Sequence, residues 1–261
     1  METAPELVGN EIKNFVFVVQ DFSKLCWSGA TGIFKRPRYI REILFQMDVI
    51  GVGSIPIVML TGLFTGMVLA LHSSVQLASF GASLYVGKVV SASMIRELGP
   101  VLASLMVAGR VGSGIAAEIG SMKDTEQIDA MMVEGTDPIK KLVVPRFWAC
   151  VLMLPLLAII ADAVGLLGGY LIAIYQLRID GVFYWTSVFD ILKMKDVVPG
   201  LFKPAFFGFC ISMVGCYQGL NTHGGTVGVG RSTTESVVYS SILILASDFF
   251  ITKFFLYILK Y

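Results

Sequence analysis

The chain has 261 residues and a formal net charge of +1, with 55% hydrophobic residues, 15% charged residues and a mean hydropathy of +0.75. Soluble domains carry about 25% charged residues, so this composition excludes an ordinary soluble domain and indicates a lipid bilayer as the solvent. A net charge this close to zero gives no indication of a nucleic-acid partner.

The N-terminal region predicts an amphipathic helix. Acidic residues open the chain and no compact apolar core follows, which is not the pattern of a secretory signal peptide. Apolar residues between positions 11 and 34 recur at helical spacing, which favours a helix in the membrane interface over a soluble packing helix. They are Ile12, Phe15, Val16, Val19 and Phe22. We expect an N-terminal cytoplasmic or interfacial region over 1–48 and a membrane domain over 49–261.

Five apolar stretches predict transmembrane helices, since a helix needs roughly 20 apolar residues to cross a bilayer. They are residues 49–71, 98–117, 147–177, 204–220 and 236–259. The third is too long for one upright helix and too short for a helical pair, so it should tilt or extend beyond the bilayer. The expected fold is an all-α integral membrane protein with five transmembrane helices.

The distribution of Lys and Arg predicts which side of the membrane each loop occupies, because cytoplasmic loops carry more of them. The N-terminal region and the loop between the second and third spans are the more basic side. Their basic residues are Lys13, Lys24, Lys35, Arg36, Arg38, Arg41, Lys123, Lys140, Lys141 and Arg146. The N-terminus should therefore be cytoplasmic, with the C-terminus on the opposite side.

The loop between the second and third spans predicts a short cytoplasmic helix that ends at Val133. Asp124 or Thr125 can cap its start, and Gly135 suits the left-handed position after its end. Asp137 can then cap a second helix. The apolar face of the first helix would consist of Ile128, Met131 and Met132. Such a face suits contact with a soluble subunit, and a helix that merely lies on lipid is the alternative.

No nucleotide-binding, catalytic or metal-binding pattern is apparent. A P-loop needs G-x-x-x-x-G-K-[ST], whereas five residues separate Gly81 from Gly87 and Val89 replaces the hydroxyl residue. The four cysteines and two histidines lack metal-ligand spacing. We therefore expect a chain that is not itself an enzyme and holds no cofactor or metal, so that transport would draw energy from another chain or a gradient.

Several segments resemble the MlaE permease family, whose members are ABC-transporter membrane subunits that move phospholipids with MCE-domain proteins. The resemblance covers roughly residues 45–255. It rests on "RELGPVLASLMVAGRVGSGIAAEIGSMKDTEQIDAM", "GTDPIKKLVVPRFWA", "GLFTGMVLAL" and "GRSTTESVVYSSILILASDF". The R-E-L-G-P and E-Q-I-D-A segments are long and ordered, so the match is specific.

The resemblance implies a homodimer in the bacterial inner membrane, which would move phospholipids and contribute to outer-membrane lipid asymmetry. Two ABC ATPase subunits would bind ATP and Mg below it, in some systems with a small STAS-domain protein. A hexamer of MCE-domain proteins would sit on the periplasmic face. The alternative is a gradient-driven carrier of a small solute, with ion sites at Asp162 and Asp248, but no inverted repeat is visible.

Arg96 and Glu97 are the strongest candidates for a lipid-contacting polar patch, because ionisable groups inside a membrane usually face the protein interior or a wet cavity. They lie about 100° apart on a helix, so they need not pair with each other. Arg96 would attract a phosphate; the alternative is that Arg96 snorkels at the membrane edge while Glu97 bonds a neighbouring span. Leu69, Phe80 and Leu98 should contact acyl chains, as the resemblance implies.

The remaining polar residues in and near the spans are interpreted as structural or as coupling groups. Arg110 is expected to pair with Glu118. The residues Asp162, Asp248 and Lys253 are expected to be interhelical partners. The residues expected to couple the chain to an ATPase are Glu126, Asp129, Met131, Gly135 and Asp137.

Overall fold

The computed structural model of the chain describes residues 4–32, 39–192 and 194–259. Those residues are helical apart from short connections and contain no β-strand. In chain order the α-helices are α1 (Ala4–Gly32), α2 (Ile40–Ile50), α3 (Ile55–Ala78), α4 (Val86–Ser93), α5 (Gly99–Val107), α6 (Ser113–Asp124), α7 (Gln127–Val133), α8 (Val144–Tyr175), α9 (Gly181–Ile191), α10 (Met194–Leu220) and α11 (Gly225–Leu259). Wider π-helical turns lie between α4 and α5, between α5 and α6, and before α8, at Met94–Leu98, Ala108–Gly112 and Ile139–Val143.

Within the described residues, five helical segments are long and apolar enough to cross a membrane, which confirms the predicted all-α membrane fold. They are Ile40–Ala78, Val86–Asp124, Ile139–Tyr175, Lys195–Leu220 and Gly225–Ile258. Each begins earlier than the predicted apolar stretch, because the helix continues into polar residues that an apolar run excludes. The third span has 37 residues. At 1.5 Å per residue it measures about 55 Å, which exceeds a hydrocarbon core of about 30 Å.

The first and third spans pack with their backbones in direct contact. A Cβ atom built on Gly66 would lie 1.8 Å from the Gly165 carbonyl oxygen, and one on Gly62 would lie 2.6 Å from that of Ala161. Both positions belong to the G-x-x-x-G pattern of the first span, which allows two membrane helices to approach closely. Because Gly62 and Gly66 carry no side chains, α3 can lie in direct backbone contact with α8.

The fourth span is the most enclosed of the five. On one side a Cβ atom on Gly208 would lie 2.7 Å from the Cys150 carbonyl oxygen of α8. On the other side a Cβ atom on Gly219 would lie 2.7 Å from Ile119 Cβ of α6. Because α10 is held between α8 and α6, its charged residues Asp196 and Lys203 are buried inside the domain.

Helix α1 forms as predicted and packs against the membrane domain at its C-terminal half. Leu25 is buried, and the Phe22 and Tyr217 rings meet edge to face with centroids 5.7 Å apart. Val16 and Val19 remain exposed. The side chains of Ile12 and Phe15 and the residues Lys35, Arg36 and Arg38 lie outside the described part. The interfacial location of α1 and the domain boundary at residue 48 therefore stay predictions.

Helix α9, between the third and fourth spans, was not predicted. Its start is capped by Asp180, whose Oδ2 accepts a hydrogen bond of 3.3 Å from the Phe183 N–H. Tyr184 and Val188 are buried, and α9 packs against α4. The sequence does contain a signal for this helix, because an aspartate that can cap a helix is followed by apolar residues at helical spacing.

Candidate functional site

A cluster of charged side chains lies inside the membrane domain, where the second, fourth and fifth spans meet. The wide turn Met94–Leu98 carries Arg96 and Glu97. Arg96 Nε donates to Asp196 Oδ1 at 2.7 Å, and the Asp196 side chain is only 2% exposed. This ion pair joins the wide turn to the first turns of α10.

Lys203 of α10 connects the cluster to the fifth span. Its Nζ atom lies 2.7 Å from Glu97 Oε2 and 3.0 Å from Asp248 Oδ1, and it also donates to the Arg96 carbonyl oxygen at 3.0 Å. The Lys203 side chain is 2% exposed. Glu97 Oε1 accepts a further hydrogen bond of 3.2 Å from Thr252 Oγ1. Lys203 is therefore a buried cation whose charge two carboxylates share.

A cavity of about 50 Å³ lies beside these charges. Its polar lining consists of Arg96, Glu97, Asp196, Lys203 and Thr252. Its apolar lining consists of Pro199, Phe255 and Leu256. A cavity lined by both charged and apolar side chains suits an amphiphilic ligand. The cavity is too small for a whole lipid, so it would admit only part of a polar head group.

Arg96 and Glu97 do not pair with each other, as their helical spacing predicts. Each instead bonds a residue of another span, Arg96 to Asp196 and Glu97 to Lys203. Arg96 is therefore anchored by an ion pair inside the domain rather than extended alone to the membrane edge. Contact of either residue with lipid stays a prediction.

The cluster also contains three residues that were not predicted from the sequence, Asp196, Lys203 and Thr252. Lys203 directly precedes the apolar stretch 204–220 and was left outside the predicted span, although α10 runs from Met194 to Leu220. Continuing the helical spacing upstream across Pro199 and Pro204 would have placed Lys203 inside the span. Its carboxylate partners come from other helices, so their identity needed the tertiary structure.

The predicted pairing of Arg110 with Glu118 is wrong. Arg110 donates to Ser54 Oγ at 2.8 Å and to the Val49 carbonyl oxygen at 3.3 Å. Glu118 instead pairs with Arg146 at 2.7 Å. The Arg146 side chain is almost fully buried and needs a carboxylate, whereas backbone and hydroxyl oxygens from the first span satisfy Arg110.

The three predicted interhelical partners differ in their outcome. The prediction is confirmed for Asp248, which pairs with Lys203 of the fourth span. Lys253 is exposed and has no ion pair within the described residues, so its predicted role is wrong. Asp162 lies against Gly99 of the second span, and its buried Oδ1 atom has no hydrogen-bond partner among the described residues, so its predicted interhelical pairing stays a prediction.

The three predicted acyl-chain contacts lie in different environments. Leu69 and Leu98 are partly buried and pack against the same apolar cluster, which includes Met94 and Val90. Phe80 follows the end of α3 and is 83% exposed. Leu98 directly follows Arg96 and Glu97 in the chain, while Phe80 belongs to neither apolar cluster of the described residues.

Helix α7 forms between the second and third spans, as predicted, but its faces differ from the predicted ones. Ile128 is buried and Met131 packs partly against the core of the membrane domain. Met132 is exposed, and so is Val133 at 90%. The outward apolar surface therefore consists of Met132 and Val133, and Met131 helps to fasten α7 to the domain.

The turns around α7 hold it in place. The predicted caps Asp124 and Thr125 are wrong: α6 runs through Asp124, and Glu126, in a left-handed conformation with φ 59°, directly precedes α7. Gly135 has φ 76°, which confirms its predicted left-handed position. Asp137 Oδ1 accepts the Ile139 N–H at 3.0 Å, as predicted for a cap.

Asp129 belongs to this framework as well. It forms an ion pair of 3.2 Å with Lys123, which stands at the end of α6. The pair joins α7 to the helix before it. The coupling roles predicted for Glu126, Asp129, Met131, Gly135 and Asp137 stay predictions.

Comparison with known proteins identifies the family. A family model described as "Permease MlaE" matches residues 43–254. A probable ABC transporter permease protein of Rickettsia conorii is 46% identical over 248 residues, which cover 95% of this chain and 96% of the relative. A probable ABC transporter permease protein of Synechocystis sp. is 44% identical over 212 residues, which cover 81% of each chain.

A relative with a more specific name supports the same assignment. The intermembrane phospholipid transport system permease protein MlaE of Haemophilus influenzae is 38% identical over 208 residues. The match covers 79% of this chain and 80% of the relative. Together with the five apolar spans, these matches show that the chain belongs to the MlaE family of ABC transporter permeases.

Proposed function

We propose that this chain is the membrane-spanning subunit of an ABC transporter that moves phospholipids between the bacterial inner membrane and a periplasmic MCE-domain protein. The charged cluster around the buried Lys203, which joins three spans and shares a cavity with apolar side chains, is the observation that carries the proposal. Transport of this kind would contribute to outer-membrane lipid asymmetry. The name of the Haemophilus influenzae relative supports phospholipid as the transported class.

The chemistry of the cluster fits a phospholipid head group. Arginine binds phosphate through a planar fork of N–H donors, and the Nε bond to Asp196 orients the Arg96 guanidinium. Leu98 follows Glu97 in the chain, and Leu69 and Leu98 pack against one apolar cluster, which supports the proposal that both would contact an acyl chain. Phe80 would contact lipid at the outer end of the first span.

The proposed assembly is a homodimer in the inner membrane with its N-terminus in the cytoplasm. Span five supports a second copy, because its outward face is strongly apolar and scarcely buried within one chain. That face includes Ile242, Leu245, Phe249 and Phe250. ABC ATPase subunits would bind ATP and Mg and contact α7, an MCE hexamer would bind the periplasmic side, and a STAS-domain protein is a further possible subunit.

Purification through a tag on this chain tests the proposal. We expect an ABC ATPase and phospholipid to co-purify, and the reconstituted complex to move phospholipid when ATP is supplied. A gradient-driven carrier would instead transport without an ATPase. Transport that persists after ATPase removal would contradict the proposal.

Replacing Arg96 by lysine should impair transport although the positive charge remains. An ammonium lacks the planar donor fork, so we expect roughly tenfold less bound phospholipid per complex, equivalent to about one charge-assisted hydrogen bond. Phospholipid bound to the purified complex and transport in vesicles are the measurements. Arg231→Lys, at an exposed arginine of the fifth span, is the matched control and should change neither. Wild-type binding in Arg96→Lys would remove Arg96 from the site.

Replacing Val133 by aspartate should weaken contact with the ATPase. Val133 is 90% exposed on α7, and burying a carboxylate there at an apolar interface would cost more than burying an uncharged polar group, which costs about 1–3 kcal/mol. We expect at least tenfold weaker ATPase association, measured by titrating the purified ATPase. Val182→Asp is the matched control, because this valine is 74% exposed on α9 at the opposite end of the spans. Equal affinities for the two variants would exclude α7 as the contact.

A further inference from the structure

A buried carboxyl group lies against the wide turn that carries Arg96 and Glu97, and it takes no part in the charged cluster. Asp162 stands in the middle of α8. Its Oδ1 atom is buried and has no hydrogen-bond partner among the described residues. A Cβ atom built on Gly99 would lie 1.7 Å from this oxygen, so the carboxyl group fills the place where any other residue at 99 would have its side chain.

The backbone of the wide turn faces the same point. The Gly99 N–H donates to the Met94 carbonyl oxygen, which closes the turn Met94–Leu98. This carbonyl oxygen lies 3.1 Å from the same Cβ position on Gly99. A carbonyl oxygen has two lone pairs, so that of Met94 can accept a second hydrogen bond. The Asp162 oxygen and an available backbone acceptor therefore converge beside Gly99.

The nearby cations have other partners. Arg96 pairs with Asp196, and Lys203 pairs with Glu97 and Asp248. An ionised carboxylate has only acceptors, so at this position it would face a second acceptor without a donor, which is costly in a low-dielectric interior. A protonated carboxyl group carries one O–H donor and removes that conflict.

We propose that Asp162 is a positioning residue that carries a proton and donates its O–H to the carbonyl side of the wide turn Met94–Leu98. The bond holds the turn open in the wide geometry. That geometry directs Arg96 and Glu97 toward their partners on α10. Asp162 thus acts on the polar site through the backbone of the second span, without contacting the ligand.

Infrared spectroscopy of the purified protein in lipid nanodiscs tests the proton directly. A protonated carboxyl group absorbs at a higher carbonyl frequency than a carboxylate. The wild type should show this band, and Asp162→Asn should lose it. Asp248→Asn is the matched control: this carboxylate is paired with Lys203, so its replacement should leave the band in place. A wild-type spectrum without the band, or a band that survives in Asp162→Asn, would overturn the proposal.

Hydrogen exchange tests the bond to the turn. Asparagine keeps a donor of the same shape, whereas leucine fills the space without one. Amides of the turn Met94–Leu98 should exchange roughly fivefold to tenfold faster in Asp162→Leu and at nearly the wild-type rate in Asp162→Asn. The second wide turn of the same span, Ala108–Gly112, is the internal control and should be unchanged in both. Equal exchange of the first turn in the two variants would contradict the bond.

The consequence for transport rests on the proposed function, but the infrared and exchange measurements do not. Asp162→Asn should bind a wild-type amount of phospholipid, and Asp162→Leu several-fold less. If Asp162→Leu does not fold, the infrared band and the Asn variant still decide the matter. The infrared band and the exchange rates could behave as expected while neither variant alters lipid binding. In that case the bond from Asp162 exists, but it does not position Arg96 and Glu97 for lipid binding, and the proposed role is refuted.

Discussion

Replacing Lys203 by methionine is expected to destabilise this permease by about 3–5 kcal/mol, the usual cost of removing one partner from a buried ion pair. The Lys203 side chain is 2% exposed and its Nζ atom lies within 3.0 Å of carboxylate oxygens on two other spans. Without it, Glu97 and Asp248 become adjacent negative charges with no buried cation between them. Thermal unfolding of the purified protein in detergent is the measurement.

Two further variants test whether the loss of stability depends on the burial of the Lys203 charge. Lys88→Met removes a lysine that is itself 31% exposed and pairs with an Asp190 side chain that is 63% exposed, so it should cost less than about 1 kcal/mol. The triple variant Lys203→Met, Glu97→Gln, Asp248→Asn removes all three charges together and should recover most of the lost stability. Equal destabilisation by Lys203→Met and Lys88→Met would show that the buried network contributes no more than a surface pair.

Replacing Gly66 by alanine is expected to separate the first and third spans and cost at least about 3 kcal/mol, the upper end of the range for overpacking. The added Cβ atom would lie 1.8 Å from the Gly165 carbonyl oxygen, and backbone cannot rotate away as a side chain can. Both spans would have to shift along their length. Yield of folded protein and its unfolding temperature are the measurements.

The matched control for Gly66 is Gly114→Ala. Gly114 lies within α6, and no atom of the described residues stands within 4 Å of a Cβ built there. Alanine has the higher helix propensity, so this variant should be neutral or stabilising by up to about 1 kcal/mol. If both variants had the same sign, the loss at Gly66 would be a general effect of substituting glycine and not of the helix contact.

Local pattern predicted most of the helical architecture. Apolar run length located the five spans, because a bilayer-crossing helix must satisfy its own backbone and expose apolar side chains. The left-handed Gly135 and the cap at Asp137 were also predicted, since each depends on residues close to it in the chain. Helix ends were predicted less well, because a helix that is packed against its neighbours continues through polar residues such as Lys195.

The faces of short helices depended on packing with distant elements. The apolar residues of α7 were recognised, but only the fold shows that Ile128 points inward and Val133 outward. The caps proposed at Asp124 and Thr125 failed for a similar reason. Helix α6 continues through that segment, and the chain reverses at Glu126 instead.

The amino-acid sequence by itself determined that this protein is a five-span permease of the MlaE family, and it indicated Arg96 and Glu97 as the candidate polar groups of the second span. Only the tertiary structure decided their partners, Asp196 and Lys203, and brought Asp162 Oδ1 beside Gly99 with no hydrogen-bond partner among the described residues. The reason is physical. Whether a segment enters the lipid depends on that segment's own composition. The pairing of buried charges depends instead on which distant helices approach each other. Small residues such as Gly66 and Gly99 determine how closely those helices approach.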